Sequence, residues 1–424
     1  MEKPTKMGRL IFFLFFLGML IAFDFYIFNG LKASFKNGMP RSIRWSYWLA
    51  SIVPLVWVMI AMPMQQYLGD YRWISNLFIG LFFTMLVSKA VFGSILLIED
   101  IYRILRFSGE NALRFVNSDK PVFNWESRRR FVAQLGIVVT SIPFLSFLYG
   151  ISFGKYAFRV HNVKLNFPDL PEAFDGLRIV QISDIHAGSF DSVSAVQRGA
   201  EMVQAQNADI ILFTGDLVNN RAEEIEPYMH LFEKLNAPMG KFSVLGNHDY
   251  AHYVPWESEE AEAENMKRLF KNHADMGFRL LNNESLLLEK KGQQIRLAGV
   301  ENWGKGRFPK EGDLDKAFVG TENDEFRILM SHDPSHWTHK ILGFDKHVHL
   351  TLSGHTHGMQ MGVEIPGIKW SPSKWIYPQW AGLYNEQGKY LYVNRGFGFL
   401  GFPGRVGILP EITVIELKKG LAST

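Results

Sequence analysis

The 424-residue sequence contains no cysteine. A disulfide framework, a zinc finger, a thiolate metal site and a cysteine nucleophile are therefore all excluded. Histidine is missing from residues 1–154, and all 13 lie in the second part. Acidic side chains are scarce there as well. Residues 1–154 carry 8 Asp/Glu against 16 Lys/Arg, a net charge of +8, whereas residues 155–424 sum to −5. Charge of either sign is nearly absent from four long stretches. Segments 45–64 and 131–153 have none, 10–28 has only Asp24, and 73–98 has only Lys89. A chain with 47% apolar residues is neither disordered nor collagen-like. Its mildly acidic second part is not the surface of a nucleic-acid binder, so no nucleic-acid partner is expected.

Each apolar stretch approaches or exceeds the roughly 20 residues that span a hydrocarbon core. Residues 1–154 are thus expected to be a membrane domain of four transmembrane helices, with the lipid bilayer as a partner. Residues 155–175 read as a linker and 176–424 as a second domain. The first and third connections carry eleven Lys and Arg (Lys32, Lys36, Arg41, Arg44, Arg103, Arg106, Arg114, Lys120, Arg128, Arg129 and Arg130), against seven on the other side. That bias places the second domain outside the cytoplasm of a bacterial inner or plasma membrane. Ser127-Arg128-Arg129-Arg130-Phe131-Val132 precedes the fourth stretch. It resembles a twin-arginine export signal, and reads equally as the basic stop of a helix. Asp24 and Lys89 are expected to reach the interface or to pair. They are a thin basis for transport.

From residue 176 the pattern changes to short apolar runs with polar ends. The run 177–183 leads to Asp184 and His186, 209–214 to Gly215-Asp216, and 242–245 to Gly246-Asn247-His248-Asp249. The run 326–331 leads to His332, and 348–353 to Gly354-His355-Thr356-His357. Helix-like stretches 192–206 and 223–235 intervene, which indicates an α/β domain. Ligands in such folds collect at the carboxyl ends of strands. Five ends carrying imidazole, carboxylate and amide oxygen, without sulfur, suit divalent Mn, Fe, Zn, Co or Mg. Seven donors exceed what one ion needs. Two ions sharing a bridging carboxylate fit better, and such a pair clamps a phosphoryl group.

These five ordered motifs resemble those of the calcineurin-like metallophosphoesterases. The likeness covers about residues 175–417. The N-terminal membrane segment and the ending from Asn394 to Thr413 resemble that superfamily's membrane-anchored branch, which includes UDP-diacylglucosamine pyrophosphohydrolase-like proteins. The resemblance implies a four-layer αββα sandwich after the four-helix transmembrane region. It implies that two divalent metal ions (Mn, Fe, Zn or Co) are held by Asp184, His186 and His357, and by Asn247, His332 and His355, with Asp216 between them. His248 would face the substrate, stabilise developing charge and protonate the leaving oxygen, with Asp249 orienting it through a hydrogen bond. One departure is Met359, where the family usually has glycine.

The expected activity is hydrolysis of a phosphodiester, phosphomonoester or pyrophosphate bond. A lipid-linked substrate of the UDP-diacylglucosamine type, a lipid A precursor, is open by resemblance. The alternative is a catalytically silent sensor or scaffold that keeps the metal site. Arg395 and Arg405 are candidates for substrate phosphate, against a reading as surface charge. Residues 250–275 read as a loop and charged helix, a candidate lid. His252 and His273 are expected to be exposed, Asp333 to cap a turn, and the aromatics of 370–402 to be core or a lipid-facing lip. The oligomeric state is not legible.

Overall fold

Four long helices come first in the computed structural model, which describes residues 6–61, 71–114, 125–322 and 324–421. They are α1 (Lys6–Ala33), α2 (Arg41–Ala61), α3 (Arg72–Arg114) and α4 (Trp125–Ser152). Each is long and apolar enough to cross a membrane. The last three residues of the expected second stretch, 62–64, lie outside the described residues. The third helix corrects one expectation. It has 43 residues and does not stop at residue 98. At about 1.5 Å per residue it runs to roughly 65 Å, twice a hydrocarbon core. The segment read as a basic loop therefore continues as helix to Arg114. Its polar turns support one another through the Arg103–Asp100 pair at 2.6 Å. Ser127–Val132 lies inside α4, where the Arg128 guanidinium stacks 3.8 Å over the Tyr102 ring.

The two intramembrane charges do meet. Lys89 Nζ lies 2.5 Å from Asp24 Oδ1, with both side chains nearly buried. The Tyr47 hydroxyl donates to the Asp24 carbonyl at 3.0 Å.

The chain divides after Tyr149, and the second unit begins at Gly150. Its strands in chain order are β1 (Arg159–Phe167), β2 (Arg178–Ile182), β3 (Ile210–Phe213), β4 (Lys241–Ser243), β5 (Phe278–Leu280), β6 (Glu284–Lys290) and β7 (Gln293–Gly299). They continue as β8 (Arg327–Met330), β9 (Leu350–Ser353), β10 (Val363–Ile365), β11 (Ile368–Trp370), β12 (Gly382–Glu386), β13 (Lys389–Val393) and β14 (Glu411–Lys419). One six-stranded sheet has the order β1-β14-β2-β3-β4-β5, and the other β12-β13-β9-β8-β7-β6. The linker expected at 155–175 is instead built into the first sheet. Arg159–Phe167 pairs in parallel with Glu411–Lys419 along its whole length. Alternate residues Val163, Leu165 and Phe167 supply an apolar face to the core.

Period-2 alternation creates the layers. Ile179 and Leu212 point between the sheets, where they meet Leu297, Ile328 and Leu352. Val180, Ile211 and Phe213 point outward against α5 (Val193–Gln204) and α7 (Glu259–Asp275). Leu329 and Leu391 line the far face with Trp337 and Ile341. The result is the expected αββα sandwich. The stretch 223–235 is not one helix. Pro227 lacks an N–H, so a 3₁₀ turn precedes the short α6 (Met229–Glu233).

Candidate metal centre

The parallel strands β2, β3, β4, β8 and β9 all end at one edge of the sandwich, and the chain turns sharply after each. The turns are strained. Asp184, His186, Asp216, His355 and His357 all have φ between 48° and 70°. Non-glycine residues seldom adopt this left-handed region, and it clusters where side chains must be aimed. Crowding is equally severe. A Cβ at Gly246 would collide with the Asp216 carboxylate, and one at Gly354 with that of Asp184.

Two donor clusters result. Asp184, His186 and His357 place their ligand atoms within 4.8 Å of one another, and so do Asp216, His332 and His355. Asp216 joins them. Its Oδ2 lies 3.4 Å from His186 Nε2 and 3.2 Å from His332 Nε2. His332 Nδ1 is taken by the Thr214 carbonyl at 2.8 Å, which leaves Nε2 for the centre. His355 presents Nδ1, 3.3 Å from His332 Nε2, while its Nε2 meets the Tyr377 hydroxyl at 2.7 Å. Asn247 donates through Nδ2 to the Tyr253 hydroxyl at 2.9 Å, so its Oδ1 is left over.

These residues fit divalent cations. His186 Nε2 and His357 Nε2 face carboxylate oxygens of Asp216 and Asp184 at 3.4 and 3.2 Å, and Asn247 Oδ1 is buried without a hydrogen-bond partner among the described residues. Buried polar atoms are rarely left so, and a group held by them removes the cost. The charges agree. Burial pushes the Asp216 carboxyl up, but the His332 and His248 imidazoles outweigh it and hold it well below the usual range. Burial lowers His332, and Asp216 then raises it to about 10. Excess negative charge thus draws protons onto imidazoles where cations would otherwise sit.

His248 borders the cluster. Its ring lies edge to face with His186 at 5.0 Å and over Tyr253 at 4.5 Å. Burial pushes the imidazole down to about 4. The expected bond from Asp249 is absent. His248 Nδ1 meets the Asn219 carbonyl at 2.8 Å instead. Asp249 accepts from the backbone N–H groups of Asp216 and Leu217 at 2.9 Å and of Gly246 at 2.8 Å. It braces two ligand turns because these buried N–H groups have no strand partner.

The two candidate phosphate arginines are also corrected. Arg395 is buried and pairs with Glu411 and Glu364, each at 2.5 Å. Arg405 is buried, and its guanidinium donates to the carbonyls of Arg395, His357 and Gly398. A buried glycine-rich loop leaves carbonyls without ladder partners, and this fork satisfies them. Arg405 does approach the centre, with Nη2 3.0 Å from His357 Nδ1. His273, expected to be exposed, is buried against Phe213. Asp333 caps as expected, accepting from Ser335 N–H at 2.8 Å. It also lies 3.5 Å from His355 Nε2. Tyr253, Tyr377 and Asn219 were missed by the sequence reading. Tyr253 follows His248 closely, but Tyr377 is 22 residues from His355. Met359 has φ 50°, a conformation that favours the glycine usual at that position.

Comparison with known proteins agrees with this geometry. The family model "Probable Calcineurin-like phosphoesterase, transmembrane domain" matches residues 8–155, and "Calcineurin-like phosphoesterase" matches 177–359. An uncharacterized metallophosphoesterase of Bacillus subtilis, YkuE, is 31% identical over 61% of this chain and 84% of its own. A transmembrane protein with metallophosphoesterase domain of Danio rerio is 29% identical over 67% of this chain and 62% of its own. The UDP-2,3-diacylglucosamine pyrophosphatase LpxG of Chlamydia trachomatis is 28% identical over 61% of this chain and 89% of its own.

Proposed function

The chain belongs to the calcineurin-like metallophosphoesterases, and from that premise we propose that this metal-dependent phosphoester hydrolase of the membrane works with two ions on a lipid-linked phosphoester. Asp184, His186 and His357 would hold one ion, Asn247, His332 and His355 the other, and Asp216 would serve both. The observation that carries this is the Asp216 carboxylate, within 3.4 Å of an imidazole from each cluster. When bound, such a pair neutralises phosphoryl oxygens and lowers the pKa of water.

The chain's own residues supply the rest. Asp249 keeps the Asp216 and Asn247 turns in place. The Asn219 carbonyl and the Tyr253 ring hold His248 beside the cluster. There its imidazole borders the cluster, and in the protonated form, with Nδ1–H on the Asn219 carbonyl, its Nε2–H would be the proton given to a leaving oxygen. The similarity to a pyrophosphatase of a diacylated nucleotide sugar supports a lipid-linked substrate. The Lys/Arg bias supports a catalytic domain outside the cytoplasm. On that side, a polyprenyl- or phospholipid-type phosphoester suits the site better than a UDP-sugar made inside.

The test is hydrolysis of bis-(p-nitrophenyl) phosphate and p-nitrophenyl phosphate by the full chain in detergent micelles. Mn²⁺ is added and then removed by chelation. Turnover that follows the metal and vanishes in Asp216→Ala supports the reading. Turnover indifferent to either sinks it. A reporter fused at the C-terminus that is active only in the cytoplasm would overturn the outside placement.

A further inference from the structure

The ribbon formed by β10 and β11 is turned inside out. Opposite residues in an antiparallel ribbon share a face, and faces alternate along each strand. Val363 pairs with Trp370 and Ile365 with Ile368, so these four form one face. Glu364 and Lys369 form the other. It is the polar face that turns into the domain. Glu364 pairs with buried Arg395, and Lys369 donates to the Ala381 carbonyl at 2.5 Å. The apolar face is open to solvent, with Ile365 56% and Ile368 53% exposed. Trp370 meets Trp375 edge to face at 5.8 Å. Trp375 itself is 71% exposed, and Ile376 beside it 60%.

Six large apolar side chains in one patch mark an interaction surface, not scattered exposure. Tryptophan with isoleucine, flanked by lysines such as Lys374, is the composition of a membrane–water interface. The two ends of the ribbon say which surface it meets. At its root, Gly362 donates to the Val406 carbonyl at 2.9 Å, and the neighbouring Arg405 N–H donates to the Gly150 carbonyl at 3.2 Å. Gly150 opens the second unit and lies in the last turn of α4, where a candidate span ends. At its far end the chain reaches Tyr377, 2.7 Å from His355. Ser371 Oγ donates to the Gly358 carbonyl, and Thr356 Oγ1 to that of Trp380, both at 2.6 Å. The ribbon is thereby fastened to the turn that carries His355 and His357.

We propose that the apolar face of this ribbon, with Trp375 and Ile376, seats in the headgroup region of the bilayer that holds the four helices. The metal centre would then meet its phosphoester at the lipid–water interface. The proposal deepens the lipid-linked reading and rests on it for the substrate alone. The seating is read without turnover.

The absence of cysteine makes the test direct. Ile368→Cys, Trp375→Cys and a control, Lys267→Cys, are made singly in the full chain. The Lys267 side chain is 76% exposed on α7. Each cysteine is spin-labelled, and the protein is reconstituted in phosphatidylethanolamine–phosphatidylglycerol vesicles. The expected result is collision with a nickel chelate about tenfold lower at 368 and 375 than at 267, with oxygen collision raised. Equal nickel access at all three positions overturns the proposal. Protection that grows with the protein-to-lipid ratio reveals a second copy as occupant and overturns it too. A triple variant, Ile365→Ser, Ile368→Ser and Trp375→Ser, adds a second readout. Its turnover of vesicle-borne phosphoester relative to a water-soluble one should fall about tenfold. An unchanged ratio refutes the interfacial role. Protected labels in a protein that hydrolyses only soluble esters would uphold the seating and remove the lipid substrate.

Discussion

Asp249 Oδ2 accepts the backbone N–H of Asp216 at 2.9 Å. The same carboxylate takes Leu217 and Gly246 N–H, so one side chain fixes two ligand turns against each other. Asp249→Asn keeps the size but turns an amide N–H₂ toward N–H donors. Hydrogen bonds to a charged group contribute roughly 1.5–3 kcal/mol each, so the variant should lose about 3 kcal/mol or more. Metal content by elemental analysis and Tm should both fall, and the shape of the pH–rate profile should stay. Normal metal content and Tm with a reshaped profile would mean that Asp249 acts on His248 after all.

Arg395 separates a structural cation from a substrate-binding one. It is nearly buried between Glu411 and Glu364, and burial, first, opposes its charge while Glu411 holds its pKa above the usual value. Arg395→Ala would leave Glu411 buried without its partner, a loss of about 3–5 kcal/mol. Thermal unfolding should show it directly, with Arg395→Lys intermediate. A phosphate-binding arginine would behave otherwise, raising KM at an unchanged Tm.

The contrast with the metal ligands explains what a sequence can disclose. Asp184 and His332 follow apolar runs directly, Asp216, Asn247 and His355 follow theirs after one glycine, and a parallel strand delivers the residues just past its end to the sheet edge. Local pattern and position therefore coincide. Asp249 offers no such signal, because a carboxylate that braces backbone and one that orients an imidazole look alike in sequence. The arginines were misread for a related reason. Glu364 and Glu411 lie 31 and 16 residues from Arg395, and the His357 carbonyl lies 48 residues from Arg405, so only tertiary structure brings these partners together. The strand at Arg159–Phe167 was hidden in the same way, since it pairs with residues some 250 positions later. The ribbon face was legible as apolar but not as exposed.

His273 predicts an acid limit to stability. It is buried against Phe213, with Nδ1 3.0 Å from Ser243 Oγ, and burial pushes its imidazole down to about 4. An unfolded histidine titrates near 6.5, so between these values the unfolded chain binds more protons than the folded one. Stability should therefore fall as pH drops through 6.5, with about 3 kcal/mol lost to this group by pH 4. His273→Gln cannot titrate. Denaturant unfolding followed from pH 7 to pH 4 should show a shallower decline in the variant, and identical slopes would refute the assignment.

The Asp24–Lys89 pair tests whether charge inside the membrane serves function or packing. The two groups lie 2.5 Å apart, with the Tyr47 hydroxyl on the same aspartate. Removing either partner strands a charge where water is excluded, so Lys89→Met or Asp24→Asn alone should each destabilise by about 3–5 kcal/mol. The two losses should not add. In Asp24→Asn/Lys89→Met no charge is left to strand, and Tyr47 retains a hydrogen-bonding partner in the Asp24 backbone carbonyl. Unfolding of the four variants in one detergent closes the cycle, with the double variant expected near wild type. Should the double variant match the wild type in Tm yet lose vesicle-dependent turnover, the pair would have a role that packing does not require. Should both properties survive, neither packing nor turnover requires the pair, and the chemistry belongs wholly to the second unit.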